Sequence, residues 1–123
     1  MCHNIPTEAD LEAAAEAPRV TNADLEDVIS AEYYGRASEL FSGVATDGVV
    51  YEPKELQTLT ICLLVLYNGF IVVGTSACAS PANFNEEIGQ RLARADAKRK
   101  LWAFEGYALR DRLHAEAQMS LPA

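Results

Sequence analysis

Five cations fall between positions 91 and 100, Arg91, Arg94, Lys98, Arg99 and Lys100, in a chain of 123 residues whose formal net charge is −8. Arg91, Arg94 and Lys98 follow an i, i+3, i+7 spacing, which puts them on one face of a helix. The chemistry open to such a face is the holding of an anion, since guanidinium and ammonium groups form charge-assisted hydrogen bonds with phosphate oxygens. Trp102, Tyr107 and Tyr34 add aromatic faces on which a nucleobase could stack. The candidate ligand-binding set is therefore Tyr34, Arg91, Arg94, Lys98, Trp102 and Tyr107. The plainer reading of the same cations is a solvated helix face that pairs with acids elsewhere in the chain.

Residue types that turn substrates over are not assembled. His3 and His114 lie near the two ends, and the serines and cysteines carry no nucleophile motif. GxGxxG, P-loop and HExxH patterns are absent, and Glu86-Glu87 reads as the acidic first turn of a helix. Cys2, Cys62 and Cys78 are odd in number and show no CxxC spacing, so reduced, space-filling thiols are expected rather than a disulfide framework or a zinc site. Cys2-His3 lacks further ligands. The expectation is a protein that is not an enzyme and takes no metal or cofactor.

These residues have to be positioned by an apolar framework, and the densest apolar stretch is Leu59 to Cys78. Asn68-Gly69 divides it into two runs rich in β-branched and aromatic residues, the pattern of a β-hairpin closed by a two-residue type I′ turn. That turn predicts Tyr67 opposite Phe70, Val65 opposite Val72, Leu63 opposite Gly74 and Ile61 opposite Ser76. Leu66 with Ile71, Leu64 with Val73 and Cys62 with Thr75 would occupy the other face, and Cys62 and Cys78 would point to opposite sides. Both faces of this hairpin are apolar, as in strands covered on both sides.

Before the hairpin, Thr21 with Asp24 forms a capping box. Leu25, Val28, Ile29 and Tyr33 then follow at helical spacing, predicting a helix from Asn22 to Tyr34 that ends near Gly35. Asp47-Gly48 could close a second small hairpin across Gly43 to Tyr51. After the main hairpin, Ser80-Pro81, with Asn83 and Glu86 as a nested capping box, opens a long helix running to about His114. Its expected buried stripe is Ile88, Leu92, Ala95, Arg99, Trp102, Gly106, Leu109 and Leu113. The fold class is α+β: short helix, antiparallel hairpin with a second small hairpin, and long C-terminal helix. Residues 1–20 read as a mobile acidic leader, 21–115 as a single domain and 116–123 as a tail.

Charge is unevenly placed. Residues 1–55 hold twelve acids against three bases, and residues 56–123 hold six against seven. The acidic half argues against general binding to DNA or RNA, which needs extended positive surface. No stretch has the length and apolarity of a membrane-spanning helix. Two apolar hairpin faces and a broad helical stripe exceed what one subunit of this size covers, so a homo-oligomer is expected.

From about Val20 to Leu113 the chain resembles the gp49/gp66 family of small tailed-phage proteins. The resemblance rests on Ala31-Glu32-Tyr33-Tyr34, Leu59-Thr60-Ile61-Cys62, Asn68-Gly69-Phe70, and Ser76-Ala77-Cys78 with Pro81, Asn83 and Phe84. It also rests on Glu87-Ile88-Gly89, and on Lys100-Leu101-Trp102 with Glu105-Gly106-Tyr107. The acidic leader and the Gly43 to Tyr51 insert depart from the family pattern. The resemblance implies a phage accessory protein of the host bacterial cytoplasm, with no catalytic set to transfer. Two functions follow as expectations. One is a counter-defence protein that sequesters a small anionic host signal, such as a cyclic or linear nucleotide, at Tyr34, Arg91, Arg94, Lys98, Trp102 and Tyr107. The other is an acidic inhibitor that binds a host enzyme or defence protein.

Overall fold

A computed structural model describes residues 7–14, 17–43, 48 and 54–121. Among these residues four helices, α1 (Glu8–Ala14), α2 (Asn22–Val28), α3 (Ala37–Leu40) and α4 (Glu86–Met119), accompany three strands, β1 (Ile29–Arg36), β2 (Leu59–Leu66) and β3 (Ile71–Ala77). Short 3₁₀ turns at Lys54–Thr58 and Pro81–Asn83 lead into β2 and α4. The strands form one antiparallel sheet in the order β1-β2-β3, and α4 lies across one face of it. The α+β class is as expected. The insert hairpin expected at Gly43 to Tyr51 lies, apart from Gly43 and Gly48, outside the described residues.

The hairpin exists, one residue out of the expected register. Val65 pairs with Ile71, Leu64 with Val72, Leu63 with Val73, Cys62 with Gly74 and Ile61 with Thr75. A type I′ turn needs positive φ at both central residues, whereas here only Gly69 has it, at 88°. The loop is therefore the three-residue kind, Tyr67-Asn68-Gly69, a first turn followed by a left-handed glycine. Leu66 N–H donates to Phe70 O at 2.9 Å, Gly69 N–H to Leu66 O at 2.9 Å, and the Asn68 side chain accepts from Phe70 N–H at 2.9 Å. A one-residue shift exchanges the faces of β3 relative to β2. Thr60, Cys62, Leu64 and Leu66 thus share the helix-covered face with Val72 and Gly74. Cys62 and Cys78 no longer fall on opposite sides by parity; Cys78 lies beyond the end of β3, its thiol donating to Ser80 O.

The expected helix Asn22–Tyr34 is half helix and half strand. Its start is as predicted: the Thr21 hydroxyl accepts from Asp24 N–H at 3.1 Å while Asp24 accepts from Thr21 N–H at 2.8 Å. Leu25 is fully buried. The helix stops at Val28 because Ile29, Tyr33 and Tyr34 are strand formers and Gly35 disfavours helix, and because β2 offers a free edge. β1 pairs with β2 from Ile29 opposite Leu66 to Arg36 opposite Thr60, with a bulge at Ser30 whose hydroxyl donates to Val65 O at 2.9 Å. Within the expected leader, Thr7 and Asp10 cap α1, and Glu8 accepts from Arg19 at 3.1 Å and from Asn22 N–H at 3.2 Å.

Asn85, not Ser80 or Asn83, caps α4, accepting from Ile88 N–H at 3.0 Å, and the helix runs on to Met119. Its buried residues are Ala93, Ala97 and Leu101. Ile88 and Leu92, assigned to the core stripe from sequence, are 52% and 56% exposed, and Arg99 is also exposed. The contact face is thus rotated by one residue along the first half of α4. The reason is distance. A Cβ on Gly74 would lie 2.5 Å from the Ala97 nitrogen, 2.7 Å from the Ala97 Cβ, and closer still to the Ala93 carbonyl oxygen. The helix rests almost backbone to backbone on the sheet, and only small side chains fit the seam. Around it Leu25, Cys62, Leu64, Leu66, Val72 and Leu101 close the core, flanked by Val20, Val28, Ile29, Tyr34 and Trp102.

Two glycine substitutions should consequently act in opposite directions. Gly74→Ala is expected to destabilise by about 3 kcal/mol or more, since overpacking here has only backbone to displace. Gly106→Ala, in mid-helix with open space at its Cβ, is expected to stabilise by about 0.5–1 kcal/mol. Urea unfolding followed by circular dichroism checks both, with Gly106→Ala serving as the internal control.

Candidate functional site

Three of the six candidate residues converge. Arg94 and Lys98, one turn apart on α4, face Glu26 of α2 and Glu32 of β1. Arg94 Nη2 lies 2.7 Å from Glu26 Oε1, Arg94 Nε 2.5 Å from Glu32 Oε1, and Lys98 Nζ 3.0 Å from Glu26 Oε2. Tyr34, next but one along β1, donates its hydroxyl to Glu32 Oε2 at 3.3 Å. Trp102 follows Lys98 by one turn and packs half-buried against the core. Arg91 and Tyr107 are exposed and do not join this group; Arg91 sits beside Ile88 and Leu92 on the outer side of α4.

Two cations and two carboxylates cancel in charge. The Arg94 bond, ahead of that from Lys98, holds Glu26 below the usual carboxylate range, and the Glu26 bond raises the already high Arg94 value further. Burial pushes the Tyr34 phenol up to about 12 and also raises the Cys62 thiol, so both stay protonated near neutrality. Glu26, Ile29, Ser30, Ala31, Glu32 and Arg94 line only an open, shallow depression.

The remaining cations serve the far edge of the sheet. Asp96 Oδ2 accepts the Thr75 backbone N–H at 3.0 Å, and Lys100 Nζ donates to Val73 O at 2.7 Å. Arg99 binds Asp96 Oδ1 at 2.7 Å. The Thr75 N–H, followed by the Arg99 bond, pulls the Asp96 carboxyl down to about 2. These side chains occupy outward-facing hydrogen-bonding groups of β3, the groups by which an edge strand recruits another strand. Four of the five clustered cations are therefore bound to acids or backbone of this same chain.

Residues 20–113 match the phage protein family described as N4 Gp49/phage Sf6 gene 66. The chain belongs to that family. No curated protein and no solved structure matches it. In this phage protein no metal-binding group of His, Cys, Asp and Glu occurs among the described residues, and no described helix is long and apolar enough to cross a membrane.

Of the two hairpin faces that the sequence marks as apolar, the one left uncovered is the sheet face turned away from α4. Tyr33, Ile71 and Val73 are 59%, 53% and 44% exposed there. Ile61, Leu63 and Val65 lie half-exposed between them. The signal was the unbroken apolar run of β2, which has no polar face to offer solvent.

Asp96 supplies a pH test. Its folded value, about 2, is below the ordinary 3.8, so its contribution to stability is present above pH 4 and lost as pH falls toward 2. Asp96→Asn should be less stable than wild type at pH 6, and the gap should close by about pH 2. Denaturant midpoints measured across this range check it; a constant gap would show that the charge plays no part.

Proposed function

We propose that this phage protein works in the cytoplasm of the infected bacterium as a non-catalytic binding protein. Its target is a basic surface on a host protein. The observation that carries the reading is where the charges go. Arg94 and Lys98, the cations best placed to hold phosphate, are neutralised by Glu26 and Glu32. Asp10, Asp27 and Glu39 by contrast stand exposed, without an ion pair to any described residue. Displacing two carboxylates to admit an anion would cost the network its own bonds, whereas exposed acids attract a basic partner at no such cost.

Nucleotide sequestration is supported by one feature, the convergence of Tyr34, Arg94 and Lys98 beside Trp102. It is the weaker reading because that convergence is already charge-balanced.

The full chain should capture a host protein from lysate that then binds directly when purified, with a dissociation constant rising steeply with salt. Asp27→Lys should weaken that binding about tenfold, an effect read by calorimetry. A partner insensitive to salt and to Asp27→Lys, or no direct binding, overturns the reading. A signalling nucleotide bound below about 10 μM and lost in Arg94→Ala and Lys98→Ala would overturn it in favour of sequestration.

A further inference from the structure

The open face of the sheet differs from the rest of the molecule. It is made by alternate residues of the three strands, with Tyr33, Leu63 and Val73 in one row and Val65 and Ile71 in the next. No Asp, Glu, Lys or Arg stands among Ala31, Tyr33, Gly35, Ile61, Leu63, Val65, Ile71, Val73 and Thr75, although the chain carries −8. Glu32 and Arg36, the charged residues of β1, belong to the opposite face, where Arg94 meets Glu32 and Phe84 meets Arg36. At the hairpin end the patch stops at Val65 and Ile71, because Phe70, opposite Leu66, belongs to the helix side, where its ring packs edge-on against Phe104 of α4 with centroids 5.1 Å apart. At the other end Leu40 folds over Gly35 and stays exposed together with Phe41.

We propose that a second copy of this chain covers this face, giving a two-fold dimer in which the two sheets pack as a sandwich with a helix on each outer side. Three observations select this occupant. The first is charge. A surface of a strongly acidic protein that is itself free of acids lets two copies meet without opposing like charges, and the exposed acid Asp27 of α2 is left on the outer side. A basic or acidic partner would find no complement on the face. The second is area. Three strands about 4.8 Å apart and roughly 26 Å long give a slab of about 400 Å² in projection. Side-chain relief and the rim of Leu40 and Phe41 raise this toward the roughly 800 Å² per partner of a standard stable interface. The third is the edge. Asp96 and Lys100 occupy the Thr75 N–H and the Val73 carbonyl on the outer edge of β3, and Glu32 and Arg36 turn inward on the other edge strand, β1; both features oppose strand pairing and favour association by the face.

In the dimer the sheets lie about 10 Å apart, close to aligned, with Tyr33, Leu63, Ile71 and Val73 of each copy interdigitating with those of the other. The interface is isologous, so each substitution counts twice.

Sedimentation equilibrium of the full chain from 1 to 100 μM tests this. Wild type should reach twice the chain mass, and the association should strengthen with added salt, which screens repulsion between two acidic copies. That salt response is opposite to the one expected for a host partner, so the two proposals can fail separately. Tyr33→Lys and Val73→Lys alter exposed side chains and should leave the circular dichroism of the folded monomer intact while weakening association by at least about 100-fold. Ile88→Lys with Leu92→Lys, on the outer side of α4, should leave it unchanged. A wild-type monomer at 100 μM overturns the proposal. So does a dimer that survives Tyr33→Lys and Val73→Lys, or one that the Ile88 and Leu92 changes dissociate instead. Should a lysine variant unfold, Tyr33→Ser and Val73→Thr, which remove apolar area without adding charge, are expected to weaken association about tenfold, and an unchanged dimer overturns the proposal equally.

Discussion

The approach of α4 to Gly74 is the constraint on which the other features depend. With Ala93 and Ala97 seated over a residue that has no side chain, the helix can neither rotate nor slide without forcing Cβ atoms into backbone. Once positions 93 and 97 are centred on the sheet, the 100° step of the helix decides where their neighbours go. Arg94 and Lys98 fall toward α2 and β1, where Glu26 and Glu32 wait. Asp96 and Lys100 fall toward the outer edge of β3. One steric contact thus determines which acid each cation meets and which backbone groups are protected.

Energetically the polar contacts are secondary. Ion pairs exposed to this degree are worth roughly 0.2–1 kcal/mol each, so neither network holds the domain together. Their effect is on specificity. Along β3 they satisfy groups that would otherwise template strand addition, and beside β1 they bind the end of α2, the first strand and the long helix into one charge-balanced unit. A row of Arg and Lys that resembles an anion cradle in sequence becomes, once folded, a set of fasteners.

The parts of this arrangement that were legible in the sequence are those set by neighbours in the chain: the Thr21 capping box, the presence of a hairpin at Asn68-Gly69 and the long C-terminal helix. The parts that were not are set by distant neighbours. Ile29 to Tyr34 fits both a helical and a strand spacing, and only the free edge of β2 decides between them. Asn-Gly fits two turns, and the choice of the longer one, which draws Tyr67 into the loop, coincides with a bond from Tyr67 N–H to Val28 O at the end of α2. On α4 the large residues Ile88 and Leu92 outweighed alanines in any reckoning of apolarity, although the alanines are what a close crossing requires. Of the candidate site, the cations could be read from their spacing. Their partners Glu26 and Glu32 lie more than sixty residues away in the chain, and nothing local to Arg94 announces them.

The pattern of β1 shows why an apolar face can be left outward in so acidic a chain. An ordinary edge strand turns its charges to solvent and its apolar residues to the core. Here Glu32 and Arg36 point to the helix side, while Ala31, Tyr33 and Gly35 point away. Inward-pointing charges on an edge strand oppose indiscriminate pairing along that edge, because a strand added there would have to accommodate them. The inversion also keeps the outer face of β1 free of charge. Apolar area and charge are thereby separated on the two faces of this strand. A β2 strand apolar on both faces thus has one face closed by α4 and the other left smooth and free of charge.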